Sequence, residues 1–275
     1  MSGTRSRSGL QLFASGLTLV VLLAAFLGPE LLARDPLAQS VLTRLKGPSA
    51  THWLGTDQFG RDILVRILHG MRASLTISAV AVFTALAVGG TLGLVAAYYR
   101  GWTDRVLMRL MDMLFAFPVM LLAIGIIAML GPGGGPTAIA IAVVYTPIFA
   151  RLMRGPALVL VESDFVESAR AVGASDARII FRHILPNLAS VILVQTSLLL
   201  SAAILVEASL SFLGLGTQPP RPSLGMMLAE GRNFLMLSPW SAIFSGLAIL
   251  IVAFALNLLG DALRDALDPR LRGER

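Results

Sequence analysis

The residues that could support catalysis in this 275-residue chain are few, and their spacing fits no common reaction. The three histidines, His52, His69 and His183, lie far apart and cysteine is absent, so neither a thiolate site nor a metal-ligand spacing occurs. The glycine-rich run 131–136 could be taken for a phosphate-binding loop, but no Gly-Lys pair exists and Lys46 is the only lysine. The apolar segments contain no HExxH, no Ser/His/Asp set and no paired acids. We therefore predict no catalytic residue, no metal and no cofactor bound by this chain.

Glu207 is the carboxylate that stands out, because it lies near the end of a long apolar segment. An ionisable group at membrane depth is a functional candidate by default. Glu207 could equally mark the outer boundary of a helix, and we favour that interpretation. The same segment carries Gln195, Ser197 and Ser201, which either line a cavity or bond to neighbouring helices.

The composition indicates a membrane protein. Hydrophobic residues make up 56% of the chain and charged residues only 14%, whereas a soluble domain has roughly 25% charged residues. The net charge of +6 and the pI near 10.9 could suggest nucleic acid as a partner. Arginines that flank apolar segments and face lipid headgroups explain the charge more simply. We therefore predict lipid contact and no nucleic-acid partner.

Six apolar runs are long enough to cross a bilayer, which predicts an all-α membrane protein with six transmembrane helices. The predicted spans are approximately 10–33, 74–98, 112–130, 137–152, 188–207 and 240–259. The first could instead be a signal peptide, although its apolar core exceeds the roughly 7–15 residues typical of one. Pro118 and Pro147 lie inside the third and fourth runs and should kink them, either as static bends or as joints. Gly89, Gly90 and Gly93 should permit close contact of the second helix with a neighbour.

Basic residues predict the orientation. With both termini on the inner side, the inner segments hold 14 arginines and the outer segments hold 8 basic residues, as the positive-inside rule requires. Segments 1–9 and 261–275 are then inner tails, 34–73 is an outer segment, and 74–260 is a core of five helices that includes an inner loop, 156–187.

The outer segment should end in an amphipathic helix from Arg61 to Arg72 that lies in the membrane interface. Its apolar face would carry Ile63, Leu64, Ile67, Leu68 and Met71. The opposite face would carry Arg61, Asp62, Arg66, His69 and Arg72.

The inner loop should form two short helices joined at a glycine. Asp164 is the predicted N-cap of the first, with Glu167 at its third position in a capping-box-like pair. Gly173 can adopt the left-handed conformation that ends this helix. Ser175 should cap the second helix, and Pro186 should end it. An ordinary amphipathic loop between two spans is the alternative.

The residue pattern of this loop resembles the "EAA" loop of bacterial binding-protein-dependent ABC importers. That loop has the form E-A-A, three residues, G, about nine residues, and I-x-L-P. The matching positions here are Glu167, Ser168, Ala169, Gly173, Ile184, Leu185 and Pro186. Ser168 stands in place of an alanine, and Ile184 directly precedes Leu185. The resemblance implies a coupling helix that sits in a groove on a cytoplasmic ATPase subunit.

Three further stretches resemble the dipeptide, oligopeptide and nickel branch of these importers. They are LGTDQFGRDILVRILHGMRASL (54–75), EASLSFLGLGTQPPRPSLGMML (207–228) and GDALRDALDPRLRG (260–273). The long segment with GTDxxGRD after the first span resembles the second permease subunit of such systems. The resemblance implies a type I ABC importer permease in the bacterial inner membrane.

The same resemblance implies the partners. In that family two related permease subunits form the pathway, two ATPase subunits bind ATP and Mg²⁺, and a periplasmic or lipid-anchored binding protein delivers the substrate. The chain itself would not be an enzyme. Peptide, nickel and glutathione importers share this scaffold, so the sequence leaves the substrate open.

A secondary transporter or channel is the alternative from another functional class. Such a protein needs ion-coupling carboxylates or a filter at mid-membrane. Only the marginal Glu207 offers such a group in the predicted spans, so the ABC permease is the favoured prediction.

Overall fold

The computed structural model describes residues 3–267, with side chains from residue 11, and this part of the chain is helical with one isolated β-bridge. The helices are α1 Gly3–Phe26, α2 Gly28–Leu32, α3 Ile63–Tyr99, α4 Gly101–Phe115, α5 Val119–Leu130, α6 Gly134–Val161, α7 Asp164–Ala171, α8 Asp176–Arg178, α9 Ala189–Phe212, α10 Leu224–Arg232 and α11 Trp240–Leu267. Four stretches of the described residues are long and apolar enough to span a membrane, or five if α4 and α5 form one broken span. The number of spans predicted from the sequence, six, is therefore not confirmed.

The first predicted span is interrupted. α1 ends at Phe26 and α2 follows it, with Pro29 in its first turn. The apolar part of α1 within the described side chains, Gln11–Phe26, is shorter than the other candidate spans. The Thr18 hydroxyl of α1 donates to the Ala255 carbonyl oxygen of α11 at 3.0 Å, a hydrogen bond between the two helices.

The amphipathic helix and the second span form one helix, α3, of 37 residues. The interfacial prediction was wrong, because Arg61 and Arg66 are buried instead of facing water or headgroups. Arg61 pairs with Asp57 at 2.6 Å and with Glu230 of α10 at 3.1 Å. Arg66 lies 3.5 and 3.4 Å from the same two carboxylates. Two buried cations are tolerated here because two acids compensate them.

The third predicted span is also divided. The basic residues that precede it, Arg105 and Arg109, belong to α4, and α4 and α5 meet at an angle of 90°. Pro118 lies in this break and precedes the first residue of α5. A proline lacks the amide donor and disfavours helical geometry in the preceding residue, here Phe117, so α4 does not continue into α5.

α3 packs tightly along α6. A Cβ atom at Gly89 or Gly93 would collide with the carbonyl oxygens of Thr146 and Ala150, so glycine lets the two backbones approach. The predicted role is confirmed for Gly89 and Gly93, whereas a Cβ atom at Gly90 would make only ordinary contact, 3.7 Å from Met153. α6 continues through Pro147 to Val161, nine residues beyond its predicted end, and whether Pro147 acts as a joint stays a prediction.

At the other end of the chain, α11 extends through the predicted inner tail as far as Leu267. The basic residues Arg270, Arg272 and Arg275 lie outside the described residues, as do residues 1–2.

Candidate coupling loop

The first helix of the inner loop begins one residue earlier than predicted. Ser163 is the N-cap of α7, and its carbonyl oxygen accepts from the amides of Val166 and Glu167 at 3.0 and 3.1 Å. The proposed Asp164–Glu167 capping pair was therefore wrong, because Asp164 is already the first helical residue. The Ser163 hydroxyl donates to the Leu160 carbonyl oxygen and makes no cap. Asp164 and Glu167 lie in the first turn of α7, where the positive end of the helix dipole stabilises their negative charge.

Gly173 forms the joint of the loop. Its φ is +76°, the left-handed conformation predicted from the sequence. The amides of Gly173 and Ala174 donate to the carbonyl oxygens of Arg170 and Ala169 at 2.9 and 3.0 Å, which ends α7. An added Cβ atom would meet nothing within 4 Å. Backbone conformation, and not space, is therefore what requires glycine here.

The second helix of the loop does not end at Pro186. Ser175 caps it as predicted, since its hydroxyl accepts from the Arg178 amide. The helix then continues as a π-helical stretch, Ile179–Ile184, and a 3₁₀ turn, Leu185–Leu188, into α9. The Leu185 amide bonds to the Ile180 carbonyl oxygen, one residue beyond the α-helical partner. This change of hydrogen-bond pattern accommodates a proline that lacks a donor. The Ile184-Leu185-Pro186 part of the motif is thus the junction between the loop and α9.

The apolar side chains of α7 and of its C-cap, Val172, divide into two groups. Val166 and Ala169 are buried in the chain's own core, against Ile179 and Ile180 among others. Phe165 and Val172 remain 41% and 83% exposed. Of these four apolar residues, only Phe165 and Val172 are therefore available to a partner. Phe181, 54% exposed, adds a third apolar side chain to this surface.

Three contacts between residue pairs, all missed by sequence reasoning, tie the loop to the end of α3 and to Arg100, which follows it. The Tyr98 and Tyr99 hydroxyls donate to the Asp176 carboxylate at 2.7 and 3.1 Å. Arg100 pairs with Glu162 at 2.8 Å. The sequence signal for these contacts was the run Tyr98-Tyr99-Arg100 at the end of the second apolar segment, which places three hydrogen-bond donors next to the loop.

Glu167 and Ser168 of the motif are exposed. Glu167 lines a cavity of about 490 Å³ together with Tyr98, Arg100, Glu162 and Arg170. No cap bond involves its side chain among the described residues. Arg170 lies over the Tyr98 ring, with 5.2 Å between the guanidinium carbon and the ring centroid.

Glu207 does not mark the boundary of a helix. α9 continues to Phe212, and Glu207 is fully buried. Its carboxylate accepts from the Ser211 hydroxyl at 2.7 Å. The boundary interpretation was therefore wrong. A carboxylate at the end of a membrane helix would be in contact with water or lipid headgroups, whereas Glu207 is enclosed by protein.

The other polar residues of α9 point mainly within the chain. Ser201 donates to the Ala253 carbonyl oxygen of α11 at 2.7 Å. Ser197 bonds to the carbonyl oxygens of Leu193 and Val194 in its own helix. This geometry favours helix packing over pathway lining for both serines. Gln195 is half-buried and remains a candidate for the pathway.

A core of long apolar helices joined by a short charged loop defines a class of protein, the multi-pass membrane proteins. Residues 89–273 match the family described as binding-protein-dependent transport system inner membrane component, and the chain belongs to this family. It is 49% identical over 261 residues to a glutathione transport system permease protein of Pectobacterium atrosepticum, covering 94% of this chain and 87% of the relative. It is 47% identical over 256 residues to a dipeptide transport system permease protein of Alkalihalophilus pseudofirmus, covering 93% and 84%.

The fold is shared with a solved structure as well. A chain of the inward-facing MetNI methionine ABC transporter superposes with a TM-score of 0.60 at 17% identity, over 75% of this chain and 96% of that one. The protein is therefore a multi-pass inner-membrane permease component of an ABC importer. As a member of this family it works with ATPase and binding-protein components, and it is a transport component rather than an enzyme.

Proposed function

We propose that this chain forms half of the translocation pathway of an ATP-driven importer of small peptides. A second, related permease subunit would supply the other half, and two cytoplasmic ATPase subunits would bind ATP and Mg²⁺. The relatives reported above, one named for glutathione and one for dipeptides, support a peptide-like substrate in preference to nickel.

We further propose that α1 joins the other candidate spans as the sixth, with both termini in the cytoplasm. The inner loop then faces the ATPase subunits. The count of basic residues, 14 inside against 8 outside, supports this orientation.

The observation that carries the coupling proposal is the continuity of the loop with long helices. From Asp176 to Phe212 the chain runs as one helical stretch of 37 residues. Asp176 is also bonded to the end of α3. A displacement of the loop by an ATPase subunit therefore reaches two membrane helices. The loop would bind the two states of the ATPase dimer with different free energies. This difference would shift the equilibrium between the two conformations of the pathway.

The exposed side chains of the loop suit a groove on the ATPase. Phe165, Val172 and Phe181 offer apolar contact, and Arg178 and Arg182 are exposed cations. Exposed Glu167 would pair with a basic residue of the ATPase.

Gly173→Val tests this proposal. A β-branched residue at positive φ costs on the order of 1 kcal/mol or more, so the joint should change direction. Gly214→Val is the matched control, because Gly214 also has positive φ, +80°, and free space around it, but lies outside the loop. We expect the Gly173 variant to insert normally and to lose ATPase copurification or binding-protein-stimulated ATP hydrolysis in liposomes. Wild-type assembly and stimulation in this variant would make the loop a passive tether.

A further inference from the structure

A second cavity, of about 740 Å³, lies at the end of α3 and α6 opposite to the coupling loop. It is lined by the first part of α3, the start of α6 and the segments around residues 36 and 221. In the proposed orientation it opens to the outer side, where substrate arrives.

The cavity is cationic. Its lining includes the guanidinium groups of Arg72 and Arg221, and no acidic residue contributes to the part of the lining formed by residues 11–267. Arg221 is exposed and makes no ion pair within the described part of the chain. Arg72 pairs with Glu30 at 3.1 Å, but both side chains are largely exposed, at 47% and 73%, so an anion can displace Glu30. The Nδ1–H group of His69 donates to the Val65 carbonyl oxygen at 2.9 Å, so Nε2 of the neutral ring is an acceptor and the two guanidinium groups are the charged donors of the cavity.

Neutral donors complete the site. Gly134 and Gly135 are the first residues of α6, a helix of 28 residues, so their amides have no intrahelical acceptor. No backbone oxygen of the described chain accepts from them elsewhere. The Thr217 hydroxyl oxygen is buried and has no partner among the described residues. A Cβ atom at Gly134 would lie 3.6 Å from this hydroxyl oxygen and 3.0 Å from Ile77, so glycine keeps the floor of the cavity open.

We propose that this cavity binds the C-terminal carboxylate of the arriving peptide. A guanidinium group and helix N-terminal amides are suitable donors for a carboxylate, which accepts several hydrogen bonds at once. The apolar lining residues Leu37, Ile77 and Pro222 can contact the rest of the ligand. The volume falls within the roughly 300–1,000 Å³ of small-molecule sites. That the ligand is a peptide rests on the proposed function, whereas the preference for a carboxylate rests on the cavity alone.

The test compares two probes on the complete importer in phosphatidylcholine nanodiscs without binding protein. Alanyl-alanine and its C-terminal amide are titrated, and saturation-transfer NMR reports their weak binding. We expect the free acid to bind at least about tenfold more tightly, the size of one charge-assisted hydrogen bond. Arg221→Gln and Arg72→Gln should remove this difference. Arg232→Gln, which changes an exposed arginine outside the cavity, should retain it.

Several outcomes would overturn the proposal. Equal binding of the two probes would do so, as would an unchanged preference in the Arg221 variant. Loss of dipeptide binding when phosphatidylglycerol is added would assign the cavity to lipid headgroups. An Arg221 variant that weakens only the affinity for the binding protein would make it a docking surface for acidic side chains. Adding binding protein to the same wild-type nanodiscs and measuring the stimulation of ATP hydrolysis tests the proposed function separately.

Discussion

The hydroxyl of Tyr98 donates to the carboxylate of Asp176 at 2.7 Å, which joins the last turn of α3 to the first turn of α8. Tyr99 reaches the other oxygen of the same carboxylate at 3.1 Å. The bonds are exposed and add little to stability. They hold the start of α8 against the end of α3, in addition to the buried packing of Val166 and Ala169 that anchors α7.

Asp176→Asn and the double change Tyr98→Phe/Tyr99→Phe should therefore impair coupling more than folding. We expect unchanged membrane insertion and a fall of at least about fivefold in substrate transported per ATP hydrolysed, the lower end of typical coupling energies. Proteoliposomes in which transport and hydrolysis are measured together provide the ratio. Asp164→Asn, in the first turn of α7, is the control. An unchanged ratio in both variants would show that the loop is held by other contacts.

The second prediction concerns the buried ionic cluster of Asp57, Arg61, Arg66 and Glu230. Arg66→Met should destabilise the protein by about 3–5 kcal/mol, because it removes one of the two cations that compensate buried Asp57 and half-buried Glu230. Arg72→Met, on the same helix but in an exposed pair, should cost about 0–1 kcal/mol. Thermal unfolding of the purified complex compares the two variants. Similar unfolding midpoints for the Arg66 and Arg72 variants would contradict the prediction and would mean that water reaches the ionic cluster.

This cluster also shows why part of the structure was not predictable. A helical-wheel pattern assigns Arg61 and Arg66 to the polar face, yet Arg66 meets Glu230 across 164 positions of sequence. No local signal identifies such a partner. The left-handed Gly173 and the Ser175 cap were predicted because both depend on neighbouring residues. The N-cap position of Ser163 was missed because Ser163 and Asp164 are adjacent and have similar capping propensity, and Ser163 occupies the position without a side-chain cap bond. Continuation through Pro186 depends on a π-helical stretch that sequence patterns do not reveal.

Reporter fusions test the proposed orientation. Fusions at Gly133 and near Pro220 should report the outer side, and fusions at Gly173 the cytoplasm, because most arginines flank the inner segments. Alkaline phosphatase and green fluorescent protein, active on opposite sides of the inner membrane, provide complementary signals at each site. An outer signal at Gly173 would contradict both the orientation and the coupling proposal.

The last prediction concerns the 90° break between α4 and α5. Pro118→Ala restores an amide donor and frees Phe117 to become helical, so α4 and α5 can join into one straighter helix. If the break moves during transport, this variant should insert and assemble normally while transport per complex decreases severalfold. Pro156→Ala is the control, because Pro156 lies within the continuous helix α6. Initial uptake rates, normalised to the amount of assembled complex, decide between a joint and a static bend. Reduced insertion with unchanged transport per complex would identify the break as a static bend.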